Sequence, residues 1–339
     1  MPSSSRHKQA IRSTKAPLDS SQEGWIAGKD LLTIKALDAR DIELIIDTAT
    51  AFHEVAGRAM KKVPVLRGKT IANLFIEPST RTRTSFELAA KRLSADVVNL
   101  SGGSSSIMKG ESLVDTGRAL ECMGVDLVVI RHSAAGAAHT LARTLKAGVV
   151  NAGDGAHEHP TQALLDLFTI RACGKNVAGL RVVMIGDITR SRVARSNIHL
   201  LTKLNANVCV VGPPTMIPPH IEKLGVSVSY DLESALKGAE LVMILRVQHE
   251  REQRSLFPNV QEYARFYGVT RERLALASPD VLVLHPGPMN RGIEIATEVA
   301  DGLSSVILDQ VANGIAVRMA VLYLLVATRE TTKGVGVTR

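Results

Sequence analysis

The sequence predicts an α/β chain of two doubly wound parallel-sheet domains joined by helices, and three observations lead there. Its 339 residues exceed what one hydrophobic core usually organises. Short apolar runs alternate with amphipathic helical stretches, in two series separated by a helix. The residues able to do chemistry stand directly after those runs, where open parallel sheets collect their ligands.

Taken in order, residues 30–56 read as one or two helices entering the fold. Strands follow at 71–76, 97–100, 127–130 and 149–151, each a short apolar stretch bounded by polar or turn residues. A helix from Pro160, with Ala163, Leu164, Leu167 and Phe168 on one side, connects this series to the next. The second series has strands at 182–185, 208–211, 241–245 and 281–284, and residues 306–328 close the chain as a helix. No internal repeat or long linker intervenes.

Composition narrows the function. A net charge of +8 points to anionic partners, but 3% aromatic residues and a single Trp supply no stacking platform for single-stranded nucleic acid, so none is expected as partner. Cys122, Cys173 and Cys209 are widely spaced and outside any CxxC pattern, which argues for reduced thiols in a cytoplasmic protein and for mostly core positions. Residues 1–27 form a basic, Ser-containing extension without the apolar centre of a secretory signal, expected to be disordered. The apolar run 314–327 is interrupted by Arg318 and is short for a bilayer, so no membrane segment is expected.

The stretch 70–95 carries the strongest local signal. A strand ends at Glu77 and Pro78, and a helix opens with Ser79 or Thr80 as the candidate N-cap oxygen. Arg81 and Arg83 then fall in the first turn, where the macrodipole is already positive and a cation costs a few tenths of a kcal/mol. An anion in the turn relieves that conflict, since hydroxyls, backbone N–H groups and guanidinium forks converge on phosphate-like oxygens. The pattern repeats at residues 186–195, where Arg190, Arg192 and Arg195 cluster at a second helix opening. Neither the dinucleotide G-x-G-x-x-G fingerprint nor a P-loop is present. The segment 151–160 holds His157, Glu158 and His159 near Asp154 but lacks the HExxH spacing of a zinc hydrolase, and no metal is expected there. A histidine just before Pro160 would instead sit at a helix N-terminus, where a neutral imidazole is favoured.

The segment EPSTRTRTSFE at 77–87 resembles the carbamoyl-phosphate signature of the transcarbamylases. HPTQALLDLFTI at 159–170 and HPGPMNRG at 285–292 make the resemblance specific to the aspartate carbamoyltransferase branch, over residues 30–328. The ornithine branch shares the first motif but shows His-Cys-Leu-Pro where this chain has His285-Pro286-Gly287-Pro288, and its second substrate carries a cationic side chain.

The resemblance implies an enzyme, without cofactor or metal, that moves the carbamoyl group of carbamoyl phosphate to the α-amino group of L-aspartate, in pyrimidine (UMP) biosynthesis. It assigns Ser79, Thr80, Arg81, Thr82, Arg131, His159 and Gln162 to carbamoyl phosphate, with backbone groups of Gly287 and Pro288. Lys109, Arg192, Arg246 and Gln248 fall to aspartate, with Arg251 supporting their loop. Arg81, Thr82, Lys109, Arg131 and His159 are the implied catalytic set. The Gly- and Ser-rich loop 101–116 is similar to the family's swinging loop, whose lysine, here Lys109 with Ser105 beside it, enters the neighbouring subunit's site. A homotrimer with shared sites follows from that pattern, with dihydroorotase or regulatory chains as candidate further partners. The implied division is a carbamoyl-phosphate domain at 28–165, an aspartate domain at 166–309, and a helix at 310–330 crossing back to the first domain.

Overall fold

The computed structural model describes residues 28–58, 60–102, 110–247 and 259–334. The N-terminal extension, Ser105, Lys109, Gln248 and Arg251 lie outside the described residues. The first sheet contains β1 (Thr70–Phe75), β2 (Asp96–Ser101), β3 (Leu127–His132) and β4 (Gly148–Asp154), all parallel, in the order β2-β1-β3-β4. The second contains β5 (Arg181–Ile185), β6 (Asn207–Val211), β7 (Ser227–Ser229), β8 (Leu241–Ile244) and β9 (Leu282–Leu284), also parallel, in the order β7-β6-β5-β8-β9. In each sheet the chain starts near the middle, builds to one edge, and returns to build the other. That reversal creates a crevice between β1 and β3, and a second between β5 and β8, beyond the carboxyl ends of the strands.

Six helices dress the sheets: α1 (Ala39–Ala56), α2 (Thr80–Arg92), α3 (Leu113–Cys122), α4 (Ala137–Thr144), α5 (Pro160–Ala172) and α6 (Arg192–Lys203). Shorter ones, α7 (Leu232–Leu236), α8 (Val260–Tyr267), α9 (Arg271–Leu274) and α10 (Thr297–Ala300), precede the closing helix α11 (Ile307–Gly334). Strand residues alternate between faces as the pleat requires. Ile71, Phe75, Leu127 and Val129 join one core cluster, while Ala72, Leu74, Val128 and Ile130 join another with Leu120 and Leu141 of α3 and α4. The first cluster continues through Leu164 and Val317 to Val182, Met184 and Val210, so one apolar body connects the inner faces of both sheets. The helix α11 packs on α1, α2 and α5, and thus returns to the first domain.

The structure corrects four details. Strand β7 has no apolar run to announce it, because Ser227 and Ser229 flank a single valine at the sheet edge. The helix α5 is buried from Pro160 through Ile170 on every side, not on one, because α1, α6, α11 and β4 all touch it. By length and composition Ile307–Ala327 is long and apolar enough to cross a membrane, which the shorter run 314–327 did not suggest; most of it is buried inside the protein, as in a core helix. Cys122 and Cys173 are exposed, since they end α3 and cap α5 at the surface, and only Cys209 is partly covered; all three are free thiols.

Candidate active site

The two crevices open on one cavity of about 460 Å³. Glu77 through Thr82 enter it from the turn after β1, Arg131 from the end of β3, and His159 and Gln162 from the opening of α5. The other wall brings Arg192 from α6, Arg246 after β8, and His285 through Pro288 after β9. Every expected site residue among the described ones lines this cavity; Lys109 and Gln248 lie outside the described residues. Among the described residues, five arginines and one carboxylate, Glu77, face it, a composition that favours anionic ligands.

The opening of α2 has Ser79 as N-cap in extended conformation, with no hydrogen bond from its side chain to the helix; the expected capping oxygen is not used for capping. Arg81 is the second helical residue and abuts Gly287. A Cβ on Gly287 would stand 2.7 Å from the Arg81 guanidinium, and the residue's φ of +62° also belongs to glycine. Partial burial, and then the charge of Arg246, lower the pKa of Arg81. Arg83 does not line the cavity; it lies close enough to Glu87 to act on that carboxylate's field.

The opening of α6 is arranged differently. Ser191 is the N-cap and its Oγ accepts from the Ala194 N–H at 3.1 Å. Arg192 is the first helical residue and is buried, and its guanidinium donates through Nη1 to Glu77 Oε2 at 3.1 Å and through Nη2 to Glu77 Oε1. Arg131 Nη2 donates to the same Oε1 at 2.8 Å. Glu77 therefore joins an arginine at the end of β3 to one at the start of α6. Of the three arginines expected at this opening, Arg190 pairs at 3.9 Å with Asp187 and Arg195 is exposed, so only Arg192 faces the cavity.

His159 is the N-cap of α5, with Pro160 at the first helical position. Its N–H donates to Ser196 Oγ at 2.9 Å, and its buried Nδ1 has no hydrogen-bond partner among the described residues. Burial, then Arg131, Arg318 and Arg192, hold its pKa well below the ordinary imidazole value, so the ring is neutral. The expectation of a neutral ring stands, but its leading cause is burial beside three guanidiniums.

Four residues whose roles sequence reasoning missed, Glu77, Arg318, Asp166 and Gln310, complete the site. Glu77 was read as the polar end of a strand, with no role or partner of its own; the signal available was a lone carboxylate preceding an arginine-rich opening. Arg318 interrupts an apolar helix, is buried, and donates to Ser85 Oγ at 2.7 Å while its guanidinium lies 5.1 Å from the Phe86 ring centre. Burial lowers its pKa to about 10. Asp166 accepts from Gln162 at 2.9 Å, Gln310 at 2.7 Å and Asn197 at 2.8 Å, linking α5, α6 and α11 behind the cavity. Its desolvation raises the carboxyl pKa to about 6. Gln310 Oε1 in turn accepts the His285 N–H at 2.9 Å, which fixes the start of the Gly287 loop. No sequence spacing announces this network.

The model of the Aspartate/ornithine carbamoyltransferase carbamoyl-P binding domain matches residues 29–172, and that of the Asp/Orn binding domain matches residues 178–325. The chain is 60% identical over 298 residues to the aspartate carbamoyltransferase catalytic subunit of Moorella thermoacetica, covering 88% of this chain and 97% of that protein. Among solved structures, aspartate transcarbamoylase from Trypanosoma cruzi in complex with carbamoyl phosphate and aspartate superposes with a TM-score of 0.78 at 31% identity, covering 87% of this chain and 96% of that one. Ornithine carbamoyltransferase from Pyrococcus furiosus gives 0.79 at 29%, covering 89% and 98%. Overall shape thus does not separate the two branches, whereas sequence does. With both family models matched in order and the cavity formed where their two domains meet, the chain belongs to the aspartate/ornithine carbamoyltransferase family.

Proposed function

We propose that the cavity holds carbamoyl phosphate at the opening of α2 and L-aspartate against Arg192 and Arg246. The chain is an enzyme that transfers the carbamoyl group to aspartate, giving N-carbamoyl-L-aspartate and phosphate, the reaction that feeds pyrimidine synthesis. The observation that carries the residue assignment is the convergence of the Arg81 opening, neutral His159 and the Arg192–Arg246 wall on one cavity.

In this reading the amino nitrogen of aspartate, having lost a proton, attacks the carbonyl carbon. A C–N bond forms and the carbonyl oxygen takes the negative charge; as the carbonyl re-forms, the carbon–oxygen bond to phosphate breaks with its electron pair leaving on phosphate, which also takes the proton that the newly bonded nitrogen sheds. Ser79, Thr80, Arg81 and Thr82 hold the phosphate, and Thr82, Arg131 and His159 stabilise the oxyanion. A neutral imidazole suits that task by donating one N–H without adding a charge. Gln162 and the backbone of Gly287 and Pro288 orient the carbamoyl nitrogen, and Asp166 holds the Gln162 amide in place. A guanidinium carries five N–H donors, so Arg192 can meet a substrate carboxylate while Glu77 fixes its plane. Much of the acceleration comes from bringing two anions together in a cleft with little water.

Lys109 and Gln248 belong to the aspartate side of this proposal, with Lys109 delivered by a neighbouring chain of a cytoplasmic homotrimer. The assay is carbamoyl transfer to aspartate against ornithine: aspartate turnover with ornithine ignored is expected, and comparable ornithine turnover overturns the substrate. Sharing of sites is tested by reassociating Lys109→Ala with Arg81→Ala chains, because a hybrid trimer can contain one intact site. Activity that stays at the sum of the separate variants, with hybrids confirmed, overturns sharing.

A further inference from the structure

Beside the strap that carries His159, a second cluster of side chains lies outside the active cavity. His139 is the third residue of α4, Asp154 ends β4, and His157 stands in the following loop. One ligand atom from each lies within 4.8 Å of the other two, and the imidazole rings are 5.5 Å apart between centres. His157 Nδ1 is 3.0 Å from Asp154 Oδ2 and 3.2 Å from Oδ1. None of the three lines the active cavity.

We propose that His139, Asp154 and His157 form a binding site for a divalent cation of the zinc and cobalt class. Two imidazole nitrogens and one carboxylate oxygen suit a late first-row ion and not magnesium or calcium, which prefer all-oxygen shells. Three protein ligands with a water completing a tetrahedron is a common arrangement. Bonds of about 2.1 Å put tetrahedral ligands roughly 3.4 Å apart, close to the spacing already present between His157 and Asp154.

The supporting shell is also in place. Asp154 Oδ2 accepts from the Gly136 N–H at 2.7 Å, and Oδ1 accepts from Asn151 Nδ2 at 2.8 Å and the Glu158 N–H at 3.2 Å. Such partners fix a ligating carboxylate's direction. His139 lies in the first turn of α4, so the cluster draws its ligands from two separate elements, α4 and the end of β4 with its loop. Both histidines are half-exposed, which gives an ion a path in and lets His139 turn the remaining distance. A bound ion ties α4 to the β4–α5 loop two residues before His159.

The rival is a histidine–aspartate hydrogen bond with no ion. It is tested on the full chain after chelator treatment, titrated with cobalt(II), reading visible absorption and thermal unfolding. The wild type is expected to bind one equivalent per chain, with tetrahedral bands and a raised unfolding temperature. His139→Ala and His157→Asn should each weaken binding at least tenfold, as loss of even outer partners costs about 10- to 100-fold. Carbamoyl transfer without metal should be unchanged in both. Asn can still donate to Asp154, so the His157→Asn chain keeps the structural hydrogen bond and remains folded. Cobalt bound no more tightly by the wild type than by the chain carrying both His139→Ala and His157→Asn, or bands that persist in that double variant, overturns the site.

Discussion

The openings of α2 and α6 face each other across the cavity and deal with the same electrostatic conflict in opposite ways. Each follows the first strand of its sheet and each begins with an arginine at the positive end of a helix. At α2 the arginine, Arg81, lies exposed in the cleft against the backbone of Gly287. At α6 the arginine, Arg192, is buried and clasped by Glu77 of the other sheet. One opening offers its charge to a ligand. The other already uses its charge to join the domains, with Gly153 close behind: a Cβ there would meet Arg192 Nε at 3.0 Å and Arg131 Nη1 at 3.2 Å. The phosphate end is thus assembled mainly within the first domain, whereas the aspartate end depends on how the second domain meets the first.

The largest test of that contrast is Arg81→Ala. Removing one preorganised anion contact should lower kcat/KM by about 10²- to 10³-fold, or roughly 2.7 to 4 kcal/mol. Thermal stability should hold or rise slightly, because a cation has left a positive helix end. Steady-state kinetics with both substrates, beside an unfolding curve, check both halves. Near wild-type kinetics would remove Arg81 from the phosphate site.

Glu77→Gln should show the opposite balance, with stability lost along with activity. The substitution keeps the volume but leaves Arg131 and Arg192 without their shared carboxylate. Breaking a buried pair costs about 3 kcal/mol or more, and slight exposure here places the expected loss near the low end. Denaturant unfolding measures it, and a change confined to kinetics would show that the bridge does not hold the domains.

Arg246→Ala comes next. A lost charged hydrogen bond of about 1.5 to 3 kcal/mol raises the aspartate requirement on the order of 10- to 100-fold, with much less change for carbamoyl phosphate. Equal changes in both would place Arg246 on the first substrate.

Both sheets and the identity of most cavity residues were legible because apolar runs and the residues just after them are local signals. The anion-seeking character of 79–82 needed only the conflict between arginine and a helix N-terminus. Glu77 was harder, since its meaning depends on Arg192, 115 positions away in sequence. Asp166 and Gln310 were illegible for the same reason, being 144 positions apart and joined only when α11 returns to α5. His157 read as part of a failed zinc motif because its neighbour His139 comes from α4, 18 positions earlier in sequence. The α5 burial was misjudged because a one-sided apolar stripe cannot reveal that polar Thr161, Asp166 and Thr169 are also enclosed.

The last and smallest effect concerns His159, which lies between the two openings and reports on both. Its pKa is lowered by burial first, then by Arg131, Arg318 and Arg192; Arg81 is not among the causes. Arg192→Ala should therefore raise the imidazole pKa while leaving it below the ordinary range, and Arg81→Ala should leave it unchanged. Proton or nitrogen resonances of the ring, followed against pH, separate the two. In the wild type the sign for stability follows from the depressed value. Below pH about 6.5 the unfolded chain takes up a proton that folded His159 refuses, so His159 makes stability fall as pH drops through that point towards its native pKa. His159→Gln should flatten this part of the curve, and carbamoyl transfer by the wild type should show no acid limb from His159 at pH 6.5. A ring that titrates at the ordinary value, or that responds to Arg81→Ala as strongly as to Arg192→Ala, would mean that the two openings are not electrostatically distinct at the reacting carbonyl.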